Sequence, residues 1–167
     1  MRSPSSLVAA FGSGDGAERF AAYQRLVALG ADALPAIRSG LASDDWRVRH
    51  WSAICMDRVA DEDAYEDLIP LLSDPHPKVR LWAVHALACD HCKDDVSCPV
   101  DVVPLLIERI QTDPSVRVRR MAVIMLTTDF RDARARKPLE AVLSTTDDRK
   151  LRLHAEDGLR RLAEAGL

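Results

Sequence analysis

At 167 residues the chain is long enough to bury a core, and one domain is the default expectation. Apolar residues make up 47%, aromatics only 5% and charged residues 29%, a balance that favours helices over strands. The formal charge of −3 gives no bulk electrostatic reason to expect nucleic acid or a membrane surface as a partner.

The opening MRSPSSLVAAFGSG holds one apolar run, LVAAF, too short for a signal-peptide core or a membrane span. A cytoplasmic protein with reduced thiols is therefore expected, without a disulfide framework. Pro4 stands near the start of a first helix, and GSGDG (12–16) reads as the turn that follows it. No strand precedes those glycines, so they are not a phosphate cradle. Further along, four windows align without gaps: PAIRSGLASD (35–44), YEDLIPLLSD (65–74), PLLIERIQTD (104–113) and PLEAVLSTTD (138–147). Each keeps apolar residues at helical spacing and ends on Ser or Thr followed directly by Asp. Pro35, Pro104 and Pro138 sit near helix starts, where a missing N–H is harmless.

Shortly after each turn comes a second shared pair: Val48-Arg49, Val79-Arg80, Val118-Arg119 and Leu151-Arg152. From Asp44 to Asp74, Asp113 and Asp147 the periods are 30, 39 and 34 residues. Counting Val79 as zero, Trp82, Ala83, Ala86 and Leu87 share one helical face. The matching sets are Trp51, Ser52, Cys55 and Met56, then Met121, Ala122, Met125 and Leu126, then His154, Ala155, Gly158 and Leu159. This periodicity predicts Trp51 and Trp82 in the core, and small residues at the two middle positions predict close helix approach.

A helix pair of this length, with Asp in the turn and Val-Arg opening the second helix, resembles HEAT repeats, most of all the short bacterial form found in phycobilin-lyase-like proteins. The resemblance covers residues 33–162 well, and residues 3–29 look like a degenerate first unit, with Glu18-Arg19 in the place of Val-Arg. It implies an all-α fold, a right-handed α-solenoid of about five helix pairs. Their expected bounds are 3–29, 33–60, 63–89, 101–128 and 135–165, with a cysteine-containing loop at 89–100. It also implies a structural ladder between neighbouring repeats, made of Asp44, Asp74, Asp113 and Asp147 with Arg49, Arg80, Arg119 and Arg152.

Arg47, Lys78, Arg117, Arg120, Arg149 and Lys150 add cations to the first turns of the second helices. Cations there oppose the helix dipole, so turn aspartates or an external anion should compensate them. RDARARK (131–137) adds to that basic side in a loop. Trp46, ahead of Val48, is expected to be partly exposed and to anchor a partner, and Arg47, Lys78, Arg117 and Arg120 of the basic edge are the other expected contacts.

Three of the four cysteines gather in HALACDHCKDDVSCP (85–99), where the repeat is longest. His85 and Cys89 are i and i+4, Cys92 follows at CxxC spacing and Cys98 returns later. Three sulfurs and an imidazole suit tetrahedral zinc, with His91 as an alternative to His85; free thiols and a redox pair are the competing readings. Cys55 falls on the core face and reads as packing. Nothing resembles a nucleophile elbow, a nucleotide-binding glycine pattern or a zinc-protease helix, so no enzyme is expected. The function expected is a non-enzymatic protein-binding scaffold or adaptor that uses the solenoid groove and acts as a monomer. The alternatives are nucleic-acid binding of the HEAT-like DNA-glycosylase kind, through the basic edge, and an auxiliary part in phycobilin attachment.

Overall fold

The computed structural model of the chain describes residues 2–61, 63–89 and 100–167. Ten α-helices and no strand occur among them. They pair as the repeat requires: α1 (Pro4–Ala9) with α2 (Gly16–Leu29), α3 (Leu34–Leu41) with α4 (Trp46–Val59), and α5 (Ala64–Leu68) with α6 (Pro77–Ala88). Then follow α7 (Val103–Thr112) with α8 (Val116–Met125) and α9 (Arg136–Thr145) with α10 (Arg149–Glu164). Two compact units result where a single domain was expected, one running as far as Leu87 and the other from Val100, with Ala88 and Cys89 counted in the second.

Local chemistry accounts for the helix ends. Ser3, Asp15, Asp45 and Asp148 each accept a backbone N–H from the first turn of the helix they precede. Pro4, Pro35 and Pro104 occupy the first turns of α1, α3 and α7, where no intrahelical donor is lost. Pro70 falls deeper in its window, and there the α-helix stops at Leu68 and continues as a 3-10 segment, Ile69–Ser73. A proline that cannot donate and crowds the preceding turn explains the change of helix type.

The buried stripe follows the sequence columns. Val48, Val79, Val118 and Leu151 are buried, as are Ser52, Ala83, Ala122 and Ala155 four residues on. Small residues allow close crossings in both units. A Cβ at Gly40 would lie 2.2 Å from Ser52 Oγ and 2.8 Å from Val8 Cγ1, so α3 can approach α1 and α4 only without a side chain there. In the second unit a Cβ at Gly158 would lie 2.4 Å from Thr127 Cγ2, which seats a π-helical turn, Leu126–Phe130, against α10.

The turns share one device, in a register one residue away from the expected one at two places. Ser13, Ser43, Asp74, Asp113 and Thr146 each accept, through a side-chain oxygen, the N–H of the residue two positions on. The carbonyls of Ser13, Ser43, Asp74 and Thr146 each accept from the arginine six positions on: Arg19, Arg49, Arg80 and Arg152. Asp44 and Asp147 are therefore not the members of this column; Ser43 and Thr146 are. Arg119 departs from the pattern, since its Nε is buried with no hydrogen-bond partner among the described residues.

Part of the ladder between repeats is present. Arg49 donates to both carboxylate oxygens of Asp74, at 2.6 and 3.1 Å, with the carboxylate almost wholly buried. In the second unit the acceptor is Asp148 and the donor Arg120, Nε to Oδ1 at 2.9 Å, rather than Arg119 and Asp147. Asp148 is also the N-cap of α10, so one carboxylate serves both the cation and the helix end.

Candidate partner-binding surface

The second helices of the first unit carry a run of rings on the flank of the buried stripe. Tyr23 of α2 lies 6.0 Å from Phe20 and 6.1 Å from Trp51 of α4, centroid to centroid. Buried Phe11 backs Trp51 at 5.8 Å in a stacked pair. His50, beside Trp51, reaches Trp82 of α6 edge-on at 6.4 Å, and Trp82 lies 4.9 Å from His85. Trp46 joins through His50 at 6.3 Å. The rings of Tyr23, His50, Trp51, Trp82 and His85 are each half-buried, and Phe20 is 51% exposed. This corrects the expectation that Trp51 and Trp82 belong to the core: their columns border the stripe, and their outer faces meet solvent.

His50 sits at the centre of the run. Its Nδ1 lies 3.2 Å from the Lys78 carbonyl, so this nitrogen is the donor and Nε2 is left as an acceptor. Burial pulls its pKa down to about 4, and Lys78, His76 and Arg19 repel a proton further, so the imidazole is neutral at physiological pH. The surface is thus apolar, ringed and uncharged at its middle, with one lone pair available.

Trp46 is half-exposed, as expected, but its ring is already engaged. His76 stacks on it at 3.7 Å and 8° between planes, while Arg47 Cζ and Lys78 Nζ approach the ring centre at 4.8 and 5.5 Å. Arg47 and Lys78 therefore line one aromatic cluster instead of forming a free basic edge. Arg120 is tied to Asp148, and Arg117 alone of the five expected contact residues is exposed without a partner among the described residues. Arg49 and Arg152, which open second helices, are compensated internally, by turn carbonyls and, for Arg49, by a carboxylate.

Of the expected metal ligands, Cys92 and Cys98 lie outside the described residues, as does the alternative His91. His85 is described, and its Nδ1 stands 3.1 Å from Oδ1 of buried Asp57, a partner that sequence spacing did not suggest. Cys89 is buried, and so is Cys55, whose pKa burial raises to about 12. A thiol that keeps its proton over the whole neutral range is packing, as expected for Cys55.

Phe20, Tyr23 and His50 are the members of this surface that sequence reasoning missed. The signal was present in the spacing: Phe20 and Tyr23 stand at i and i+3, as do Trp82 and His85, each pair beside the apolar stripe.

Comparison with known proteins fits this architecture. A family model described as HEAT repeats matches residues 4–88 and again 65–160. Among solved structures, the chain is similar to the complex of CpcE and CpcF of phycocyanin lyase from Nostoc sp. PCC7120, with a TM-score of 0.78 at 20% identity. That likeness covers 93% of this chain and 96% of the other. An engineered protein matches with a TM-score of 0.55 at 18% identity, over 96% of this chain and 79% of its own. No curated protein matches the sequence. Among the described residues, no helix is long and apolar enough to cross a membrane.

Proposed function

The chain belongs to the HEAT-repeat family, a class of helix-pair solenoids, and on that premise we propose that it is a non-catalytic scaffold that binds a protein partner through the aromatic face of α2, α4 and α6. The observation that carries this reading is the run of half-buried rings from Phe20 to His85. Tryptophan and tyrosine dominate interface energetics because they bury large area at low entropic cost, and a neutral His50 removes the penalty of desolvating a charge. The test is affinity capture followed by binding measurements on the captured protein. Trp51→Ala and Trp82→Ala should each weaken binding by about 2 kcal/mol or more, while Arg117→Ala leaves it unchanged. Tight, salt-sensitive binding of mixed-sequence DNA that is lost on Arg117→Ala with Arg120→Ala would replace this reading with the nucleic-acid one.

A second reading, assistance in phycobilin attachment, has the same surface in its favour, because half-buried indole rings suit a planar conjugated group. It also draws on the similarity to the phycocyanin lyase complex. A visible-absorbance change on mixing the protein with a phycobilin, abolished by Trp82→Ala, is its expected signature.

Zinc at the cysteine-rich segment is a separate proposal, resting on the spacing of His85, Cys89, Cys92 and Cys98. The described part suits it in one respect: Asp57 on Nδ1 is the kind of carboxylate that orients a ligating imidazole and leaves Nε2 free. Metal analysis of chelator-free protein should find zinc in the wild type and none in Cys92→Ser.

A further inference from the structure

In the stretch RDARARK two of the four cations are held by partners, and one of the other two stands apart for its backbone. Arg134 is held by Asp132 at 2.7 Å and by Asp101, and Arg136 donates to the carbonyl of Leu167. Arg131 makes no hydrogen bond or ion pair among the described residues and is exposed. It is also the one non-glycine residue among them with positive φ, at φ 43° and ψ 53°. A left-handed arginine is strained where glycine would be free, and strain of this kind collects at functional positions.

The strain is imposed by the preceding turn. Thr127 Oγ1 donates to the carbonyl of Val123 at 2.8 Å, and its methyl group sits where a Cβ of Gly158 would otherwise be. The π turn Leu126–Phe130 is thereby fixed against α10 two residues before Arg160, and the chain leaves it through Arg131. Single π turns inside helices recur at functional sites. Here the turn delivers the Arg131 side chain to a cleft of about 310 Å³ that is also lined by Arg160, Arg161, Glu164 and Ala165.

We propose that this cleft in the second unit binds a phosphoryl group, free or as a monoester. Its charge is set by five groups. Arg160 is held by Glu164 at 2.7 Å and by Asp157, and Arg161 Nε donates to Asp157 at 2.7 Å. Those carboxylates neutralise two of the three guanidinium charges while fixing where the groups point. The third charge, on Arg131, is uncompensated. Each guanidinium carries five N–H donors, so Arg160 and Arg161 keep donors beyond those their carboxylates use. Three guanidiniums meeting at one cleft suit an acceptor with oxygens in several directions, as in a tetrahedral phosphoryl group, better than a planar carboxylate. The site lies in α8–α10 and is independent of the aromatic face of the first unit.

Arg131→Gly separates the proposal from a purely local explanation, in which Arg131 merely ends a helix. Glycine accepts the left-handed conformation without strain, so this variant should melt at the same temperature as the wild type or higher. Thermal unfolding is followed by circular dichroism in inorganic phosphate, glycerol phosphate or succinate, each against sodium chloride at matched ionic strength, with calorimetric titration of phosphate. The wild type should show a saturable rise in melting temperature with phosphate and glycerol phosphate, not with succinate. Arg131→Gly should bind phosphate about tenfold more weakly or worse, and Arg160→Gln should follow it. Equal melting in phosphate and chloride overturns the site. Full phosphate stabilisation retained in Arg131→Gly also overturns it, and a response to succinate as large as that to phosphate overturns the choice of ligand.

Discussion

The second helices of the two units, α4 and α6 in one and α8 and α10 in the other, repeat the same buried stripe and differ at its edges. At the column that borders the stripe, the first unit has Trp51 and Trp82 and the second has Met121 and His154. The carboxylate that meets the helix-opening arginine also differs. Asp74 is almost wholly buried under Arg49, whereas Asp148 and Arg120 are both about a quarter exposed. The stripe is therefore what makes each piece a repeat, and the border columns are what make the two units different surfaces.

The ion pairs should show the largest contrast. Arg49→Ala takes the cation from the buried Asp74 carboxylate and the guanidinium donor from the Ser43 and Asp44 carbonyls. A loss of about 3–5 kcal/mol is expected from urea unfolding, the range for breaking a buried pair. Arg120→Ala removes a more solvated pair and should cost about 1 kcal/mol or less. Equal losses in the two would show that burial does not separate the turns.

Next in size are the close crossings. Gly158→Ala must displace the Thr127 methyl, and Gly40→Ala must displace Ser52 and Val8. Each should destabilise by about 1–3 kcal/mol, the usual cost of overpacking. Thr127→Ser, which removes the methyl and keeps the hydroxyl, should recover most of the loss in Gly158→Ala and none of the loss in Gly40→Ala.

The effect that is smallest at neutral pH shows itself on acidification. His50 has a folded pKa of about 4 against 6.5 for the unconstrained side chain, so the unfolded chain binds the extra proton between those values. Its contribution is present in full above pH 6.5 and is lost as the pH falls toward 4. Melting temperatures of His50→Gln should fall less steeply than those of the wild type across that window, and identical slopes would remove His50 as the cause.

Much of this organisation was legible in the sequence. Helix pairs and the buried columns follow from period and from Pro, Asp and Ser at the helix starts, chemistry that acts within a few residues. The turn register slipped by one at Asp44 and Asp147, because Ser43 and Thr146 accept the same N–H that an aspartate would. Only the reach of an arginine to the carbonyl six positions back distinguishes them. Trp51 and Trp82 were misplaced for another reason. Periodicity locates a residue on a helix face, but whether a large ring at the edge of that face is covered depends on the neighbouring helix. Arg131 could not have been found from residue type, since its significance lies in a dihedral angle and in the company of Arg160 and Arg161.

The closure of each turn by an arginine downstream in the same segment bears on how such a chain can grow. Ser43 with Arg49, Asp74 with Arg80, and Thr146 with Arg152 are complete within seven consecutive residues. A stretch of gene copied from one turn to the next carries the acceptor and its donor together. Tandem duplication in that frame adds a helix pair whose turn brings its own carbonyl acceptor and arginine donor, and the border column of the new pair is then free to diverge.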